Sequence, residues 1–289
     1  MLGISEGYFE DEGIDVESVD LGGSSRGVLA LAQGEIDVST GGTFIGLFNA
    51  IAKGERIQIV ADKGHADESC PAYAVMARAA LIDGEELKSW DGVRGKTVSI
   101  RPSSTDEYIF DRILSRSGLS RDDLRIVKVG GSAAVGAFET GELDLRVCGE
   151  PTVTRLRQAG TAKVWLSLDE ISKGMQFANL LYGKRLLDDD PETGHKFMRA
   201  YLRGVRKYNE GKTERNIEVI NEFTKLAPSL LRDLCWPAVH DDGKINIQPI
   251  EDFLDWAYEA GHLETRIGPE RYWNPEFVNR AYAELTSGQ

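Results

Sequence analysis

Two stretches of this chain follow one pattern: GGSSRGVLALAQGEID at Gly22–Asp37 and GGSAAVGAFETGELD at Gly130–Asp144. Each begins with Gly-Gly-Ser and passes through a short apolar segment. Each ends in Gly-Glu-(Ile/Leu)-Asp before an apolar, strand-like run. The Gly-Gly-Ser reads as a turn and helix entry, the second glycine-rich point as a helix stop, and the run after it as a strand. One strand–helix–strand element used twice, about a hundred residues apart, predicts two α/β blocks of similar construction.

The flanking sequence extends both blocks. Ile14–Leu21 alternates apolar and polar residues, which predicts a half-buried strand. After Gly34 come a short strand over Ile36–Ser39, a Gly41-Gly42-Thr43 turn opening a helix over Phe44–Lys53, and a strand over Ile57–Ala61. A polar loop over Asp62–Ser69 follows, then an extended run from Tyr73 to Ala80. The second block begins with a strand over Thr97–Ile100 and a loop over Pro102–Thr105. A helix of about a dozen residues follows, with Ser104 and Glu107 at capping-box spacing and Gly118 as its stop. Strands over Leu124–Val129, Leu143–Cys148 and Val164–Leu168 alternate with helices over Ala133–Glu139 and Thr152–Ala159. This alternation predicts parallel sheets. Beyond a strand at Phe177–Tyr182 the pattern is helical: Asp190-Pro191 caps a helix carrying Phe197, Tyr201, Leu202 and Val205. Helical patterns recur over Ile217–Leu226, Pro249–Ala260 and Pro275–Leu285, the last capped by Asn274. Trp256, Tyr258, Tyr272 and Trp273 read as packing aromatics.

Bulk composition narrows the function. The 289 residues suffice for one large domain or two medium ones. The net charge of −13, from 34 basic and 47 acidic residues, argues against nucleic acid and against docking on an anionic bilayer. No run approaches the roughly 20 apolar residues of a membrane span. Cys70, Cys148 and Cys235 are isolated and the four histidines scattered, so neither a disulfide scaffold nor a metal centre is expected. No nucleophile elbow, phosphate loop or dinucleotide fingerprint occurs, and no catalytic residue or cofactor is assigned. The first residues, MLGISEGYFEDEG, have neither a basic nor an apolar signal-peptide region, so either the protein is cytoplasmic or the segment carrying the signal is missing from this sequence.

In open α/β sheets ligands gather beyond the carboxyl ends of strands, where helices begin. Four places qualify: Thr40-Gly41-Gly42-Thr43, Asp62–Ser69, Arg101–Thr105 and Gly149-Glu150-Pro151. The stretches GYFEDEGIDVESVDLGGSS, ALAQGEIDVSTGG, DGVRGKTVSI and GELDLRVCGEP, in that order, resemble the type II periplasmic solute-binding proteins of ABC importers. The branch is the one handling nitrate, sulfonates, taurine and thiamine-pyrimidine precursors, and the likeness covers Gly7–Tyr182 best.

The resemblance implies a two-lobed α/β fold with a two-strand hinge and a helical C-terminal tail, lacking the usual first strand. Lobe one would take residues 1–76 and 173–289, and lobe two 77–172. The implied function is capture of a sulfonate, a taurine-like compound, or a pyrimidine or aromatic solute in an inter-lobe cleft by hinge closure. Delivery to a permease and its ATPase would follow. The chain would be an extracytoplasmic or periplasmic monomer, and a shortened gene model would account for both the missing strand and the missing signal segment.

By motif position the resemblance points to Thr40, Gly41, Gly42, Thr43, Ser103, Ser104, Thr105 and Glu150 as ligand-binding residues. The residues themselves add Asp62, His65 and Arg101. Each has a plainer reading. Gly41-Gly42 can be a tight turn, Ser103–Thr105 a helix cap, and Asp67 and Glu68 a solvated loop. Arg101 can grip an anion or pair with Asp106. Glu150 can accept from a solute N–H or stabilise a helix start. Asp111 with Glu107, and Asp122 with Asp123, read as solvated. Cys148 reads as a buried apolar group.

Two other classes compete with a binding protein. A thiamine-pyrimidine-precursor synthase of similar fold is an enzyme, but no cysteine-rich iron motif is present here. The effector domain of a transcription regulator lacks this helical tail and follows a DNA-binding segment.

Overall fold

The computed structural model describes residues 1–130 and 133–287. Gly131 and Ser132 of the second repeat lie outside the described residues. Two compact units emerge: unit 1 holds Met1–His65, Gln176–Asp233 and Ala238–Gln289, and unit 2 holds Ala66–Met175 and Leu234–Pro237.

Among the described residues unit 1 carries a three-stranded sheet of β1 (Val38–Gly42), β8 (Gln176–Tyr182) and β2 (Gln58–His65), with β8 in the middle. Both β1 and β2 run antiparallel to β8, with Gly41 and Asp62 opposite Asn179. The parallel sheet expected from strand–helix alternation is therefore corrected here. The returning strand β8 inserts between β1 and β2, a long-range pairing that local pattern cannot reveal. The Ser24–Gln33 helix lies against β1 so closely that a Cβ on Gly27 would stand 2.3 Å from Ser39 Oγ, and any larger residue there would force the Ser39 hydroxyl to turn away.

The tail helices complete unit 1. Asp190 accepts from Thr193 N at 3.2 Å and Pro191 takes the first turn, starting the Pro191–Asn209 helix as anticipated. Its Met198, Leu202 and Val205 are buried at helical spacing. The Ile45–Ala52 helix contributes Phe48, which is fully buried. Phe48 meets Tyr272 edge-on at 5.5 Å and Phe253 at 6.2 Å. Burying such a ring stabilises by about 1.5–3 kcal/mol, and each aromatic pair adds about 0.5–1.5 kcal/mol.

Unit 2 holds a mixed sheet ordered β5 (Arg125–Val127), β4 (Thr97–Ser99), β6 (Leu145–Gly149), β3 (Tyr73–Arg78) and β7 (Ala162–Ser167). The β5–β4–β6 part is parallel, as the strand–helix alternation predicts, whereas β3 runs antiparallel to both β6 and β7. The Ala133–Thr140 and Thr152–Ala159 helices supply buried Phe138, Val153 and Leu156 to a core shared with Met76 and Cys148.

Three further expectations are overturned. Ile14–Leu21 forms no strand, and Val19 is 53% exposed. Alternation prepares a strand, but a ladder needs a neighbour, and among the described residues none pairs with this segment. The polar loop expected from Asp62 is instead the end of β2, with Asp62 and His65 buried by internal polar partners. Gly41 and Gly42 lie within β1 with no left-handed backbone, so they are not a turn.

The cysteines also depart from expectation. Cys70 and Cys235, 165 positions apart, form a disulfide with a Cα–Cα distance of 5.7 Å. Closing so long a loop stabilises by about 2–5 kcal/mol in the chain-entropy account. Cys148 is free and buried, and burial pushes its thiol up to about 12 from 9.0, with Asp106 and Glu150 adding to the rise against Arg146.

Three expectations follow. Denatured, unreduced protein should yield one titratable thiol per chain and reduced protein three, while native protein shows none near pH 8. Three thiols without reductant would contradict the disulfide. Because folding holds the Cys148 proton, stability should fall as pH climbs from 9.0 toward about 12. Phe48→Ala should cost about 3–5 kcal/mol in urea unfolding.

Candidate functional site

In unit 1 the end of β2 gathers a buried polar network around Asp62, which is fully buried. Its Oδ1 accepts from Gly64 N at 2.7 Å and Gln176 Nε2 at 2.6 Å. Its Oδ2 accepts from His65 Nδ1 at 2.7 Å and His240 N at 2.8 Å. The carboxylate sets the His65 tautomer, placing the proton on Nδ1. The His65 ring stacks on His240 at 3.8 Å, tilted by 14°. His240 Nε2 lies 3.3 Å from Asn246 Oδ1, and Asn246 N donates to Gln176 Oε1 at 3.1 Å.

Asp62, His65 and His240 each offer one ligand atom within 4.8 Å of the others. The geometry does not favour a metal. Both Asp62 oxygens already accept two hydrogens each. The two rings lie face to face, so their in-plane lone pairs run side by side instead of converging. The trio is a hydrogen-bonded hub.

Thr43 joins the same network. Its Oγ1 donates to Gln176 O and accepts from Asn179 Nδ2 at 3.0 Å, and its N donates to Phe177 O at 3.2 Å. It is 2% exposed. Thr43, Asp62 and His65 are therefore brought together, but inward. Thr40 is exposed on β1, and Gly42 N donates to Ser24 Oγ at 3.0 Å. Gly41 packs beside the same serine, where a Cβ would make ordinary contact at 3.5 Å.

Unit 2 presents a different arrangement at the end of β4. Ser104 caps the Thr105–Ser117 helix by accepting from Asp106 N at 3.2 Å, and its hydroxyl donates to Arg101 O at 2.7 Å. Glu107 accepts from Ser103 N and pairs with Arg121. Read as solvated, Glu107 is in fact only 3% exposed, because the turn folds its carboxylate under the loop. Ser103 adopts φ 54°, a left-handed conformation that non-glycine residues rarely hold. Thr105 is buried at the first helical position.

Arg101 takes up the Asp106 pairing and stays available. Its Nε lies 2.7 Å from Asp106 Oδ2 and its Nη2 3.1 Å from Oδ1, while Tyr73 Oη donates to Oδ1 at 3.1 Å. Asp106 is 1% exposed, yet the Arg101 side chain is 65% exposed. A buried carboxylate thus holds a guanidinium in a fixed plane with its outer edge open. The Asp106 hydrogen bonds raise Arg101 above the usual arginine range, and burial beside Asp106 raises the Tyr73 phenol well above its own.

Glu150 precedes a cis Pro151 at the end of β6. Its Oε2 accepts from Thr154 N at 3.0 Å, and its Oε1 accepts from Thr154 Oγ1 at 2.7 Å and Cys235 N at 3.0 Å. It therefore stabilises a helix start, while a carboxylate's roughly four acceptor positions leave one unused.

Sequence reasoning missed Gln176, Asn179, His240 and Tyr73 as partners. No local signal marks them, because each reaches its partner from a distant strand or segment. Asp106 was legible, five residues beyond Arg101 on the next turn.

Asp62→Ala should take the acceptor from Gly64 N, His65 Nδ1 and His240 N, leave Gln176 Nε2 with Gly64 O and Ala178 O, and cost about 3–5 kcal/mol in urea unfolding. A cost below about 1 kcal/mol would show that the network contributes no net stability.

Comparison with known proteins agrees with this architecture. Among curated proteins no sequence matches significantly. Many solved structures share the fold, among them these three. The aliphatic sulphonate-binding protein SsuA of Escherichia coli superposes with a TM-score of 0.78 at 16% identity, over 95% of this chain and 88% of that one. The nitrate-binding protein NrtA of Synechocystis PCC 6803 gives 0.76 at 13%, over 98% and 84%. The alkanesulfonate-binding protein SsuA of Xanthomonas axonopodis pv. citri, bound to MOPS, gives 0.69 at 19%, over 97% and 92%. These likenesses establish the periplasmic-binding-protein fold that the sequence motifs imply. The family model described as NMT1/THI5 like matches residues 1–211, most of the chain, and the chain belongs to the NMT1/THI5-like family.

Proposed function

We propose that this chain is the solute-binding component of an ABC-type importer. It takes up a small polar organic solute, closes about the segments where the chain passes between its units, and hands the solute to a membrane permease served by an ATPase. Candidate solutes are sulfonates, taurine-like compounds, and pyrimidines or related aromatics. The observation that carries this reading is Arg101: a guanidinium fixed by buried Asp106 and Tyr73, with its side chain 65% exposed beside the Ser103–Ser104 turn. A planar fork held in advance suits a sulfonate or carboxylate, and little rotamer entropy is then lost on binding. The remaining acceptor position of Glu150 suits an amino or ring N–H of the same solute. Among the unit 1 candidates, Thr40 is the exposed residue, whereas Thr43, Asp62 and His65 support from behind.

An extracytoplasmic location belongs to this reading. The Cys70–Cys235 disulfide supports it, since such bonds persist in oxidising compartments. Among the described residues no helix is long and apolar enough to cross a membrane.

Calorimetry against taurine, short alkanesulfonates, nitrate and a pyrimidine panel should find one stoichiometric binder that is recovered unchanged. Arg101→Ala should weaken an anionic binder at least about tenfold, the scale of a charge-assisted hydrogen bond of about 1.5–3 kcal/mol. Turnover of the bound compound would overturn the binding-protein reading in favour of an enzyme. An anionic binder indifferent to Arg101→Ala would overturn the role given to Arg101.

A further inference from the structure

The Cys70–Cys235 disulfide belongs to a closed ring of contacts inside unit 2 that includes Glu150. Cys235 sits in Leu234–Pro237, a four-residue excursion whose neighbours Asp233 and Ala238 both belong to unit 1. The disulfide joins Cys235 to Cys70. Ala72 N donates to Cys70 O at 2.9 Å, and Glu150 N donates to Ala72 O at 2.9 Å. Glu150 Oε1 then accepts from Cys235 N at 3.0 Å and closes the ring. Each link fixes the next. The covalent bond places the Cys235 N–H, and that N–H joins Thr154 N and Oγ1 in orienting the Glu150 carboxylate.

We propose that this disulfide is a redox-sensitive latch that holds the Leu234–Pro237 excursion in unit 2 and thereby sets the Glu150 carboxylate for solute. The role given to Glu150 rests on the binding reading above, and the latch itself does not. Cys70 is half-buried, which leaves a small thiol a route to the bond, whereas Cys235 is 9% exposed. A dithiol such as dithiothreitol delivers two electrons and two protons, yielding two cysteine thiols, and is itself oxidised to its cyclic disulfide. The excursion then loses its covalent tether, and Glu150 Oε1 loses a fixed donor. The structure makes Glu150 the positioned group and the disulfide the positioning one.

The test compares oxidised protein, dithiothreitol-reduced protein and the Cys70→Ser/Cys235→Ser double variant, with circular dichroism monitoring the fold. Limited proteolysis should spare residues 233–238 in the oxidised form and cut them in the other two. Affinity for taurine and methanesulfonate should fall about tenfold on reduction, within the range of contact-coupled pairs. In Glu150→Gln the ratio between oxidised and reduced affinities should collapse toward one, which a merely structural staple would not produce.

Equal cleavage in all forms, or global unfolding on reduction, would overturn the latch. An unchanged ratio in Glu150→Gln would overturn its action through Glu150. If neither probe binds the oxidised wild type, the proposed sulfonate solute fails, and the cleavage comparison still decides the latch.

Discussion

Unit 1 depends on a carboxylate that never meets water. Asp62 accepts from the β2 backbone, from Gln176 on β8, from the His65 ring and from the backbone of His240. Its own N donates to Gly243 O at 2.7 Å, and its O accepts from Tyr201 on the Pro191–Asn209 helix at 2.6 Å. One residue therefore ties together two strands, the tail segment and a helix. Burying a carboxylate costs several kcal/mol, which only a full set of donors offsets. The same negative charge adds to burial in raising the Tyr201 phenol.

Unit 2 uses buried carboxylates differently. Asp106 is as hidden as Asp62, but one of its partners is a side chain whose far edge faces solvent. Asp62 is enclosed by internal donors and acts on packing. Asp106 transmits its orientation outward through Arg101. Glu150 stands between these cases, half-buried, with one acceptor position open. The contrast explains why equally polar sequence positions at strand ends divide into internal braces and groups with an edge left open to solvent.

Local signals were legible where the physics is local. Asp190-Pro191, Ser104 and the Gly118 stop all mark helix ends through groups a few residues apart, and the structure follows them. The Thr152–Ala159 helix has the bounds the pattern predicts. Cys148 is buried as its strand setting implies. Apart from Glu107, whose carboxylate folds back to Ser103 N four residues away, the failures are long-range. Alternation over Ile14–Leu21 carried no information on whether a neighbouring strand exists. Polarity over Asp62–His65 read as exposure, although His240 and Gln176 lie 178 and 114 positions from Asp62.

By itself the sequence determined the repeated strand–helix–strand element, the helical tail, the family and the polar strand-end segments. Tertiary structure alone decided the strand directions, the Cys70–Cys235 pairing, and which candidates turn inward or face outward. The division has one cause. Propensity, capping and periodicity act within a few residues, whereas satisfying a buried charge or closing a disulfide depends on groups that only folding brings together.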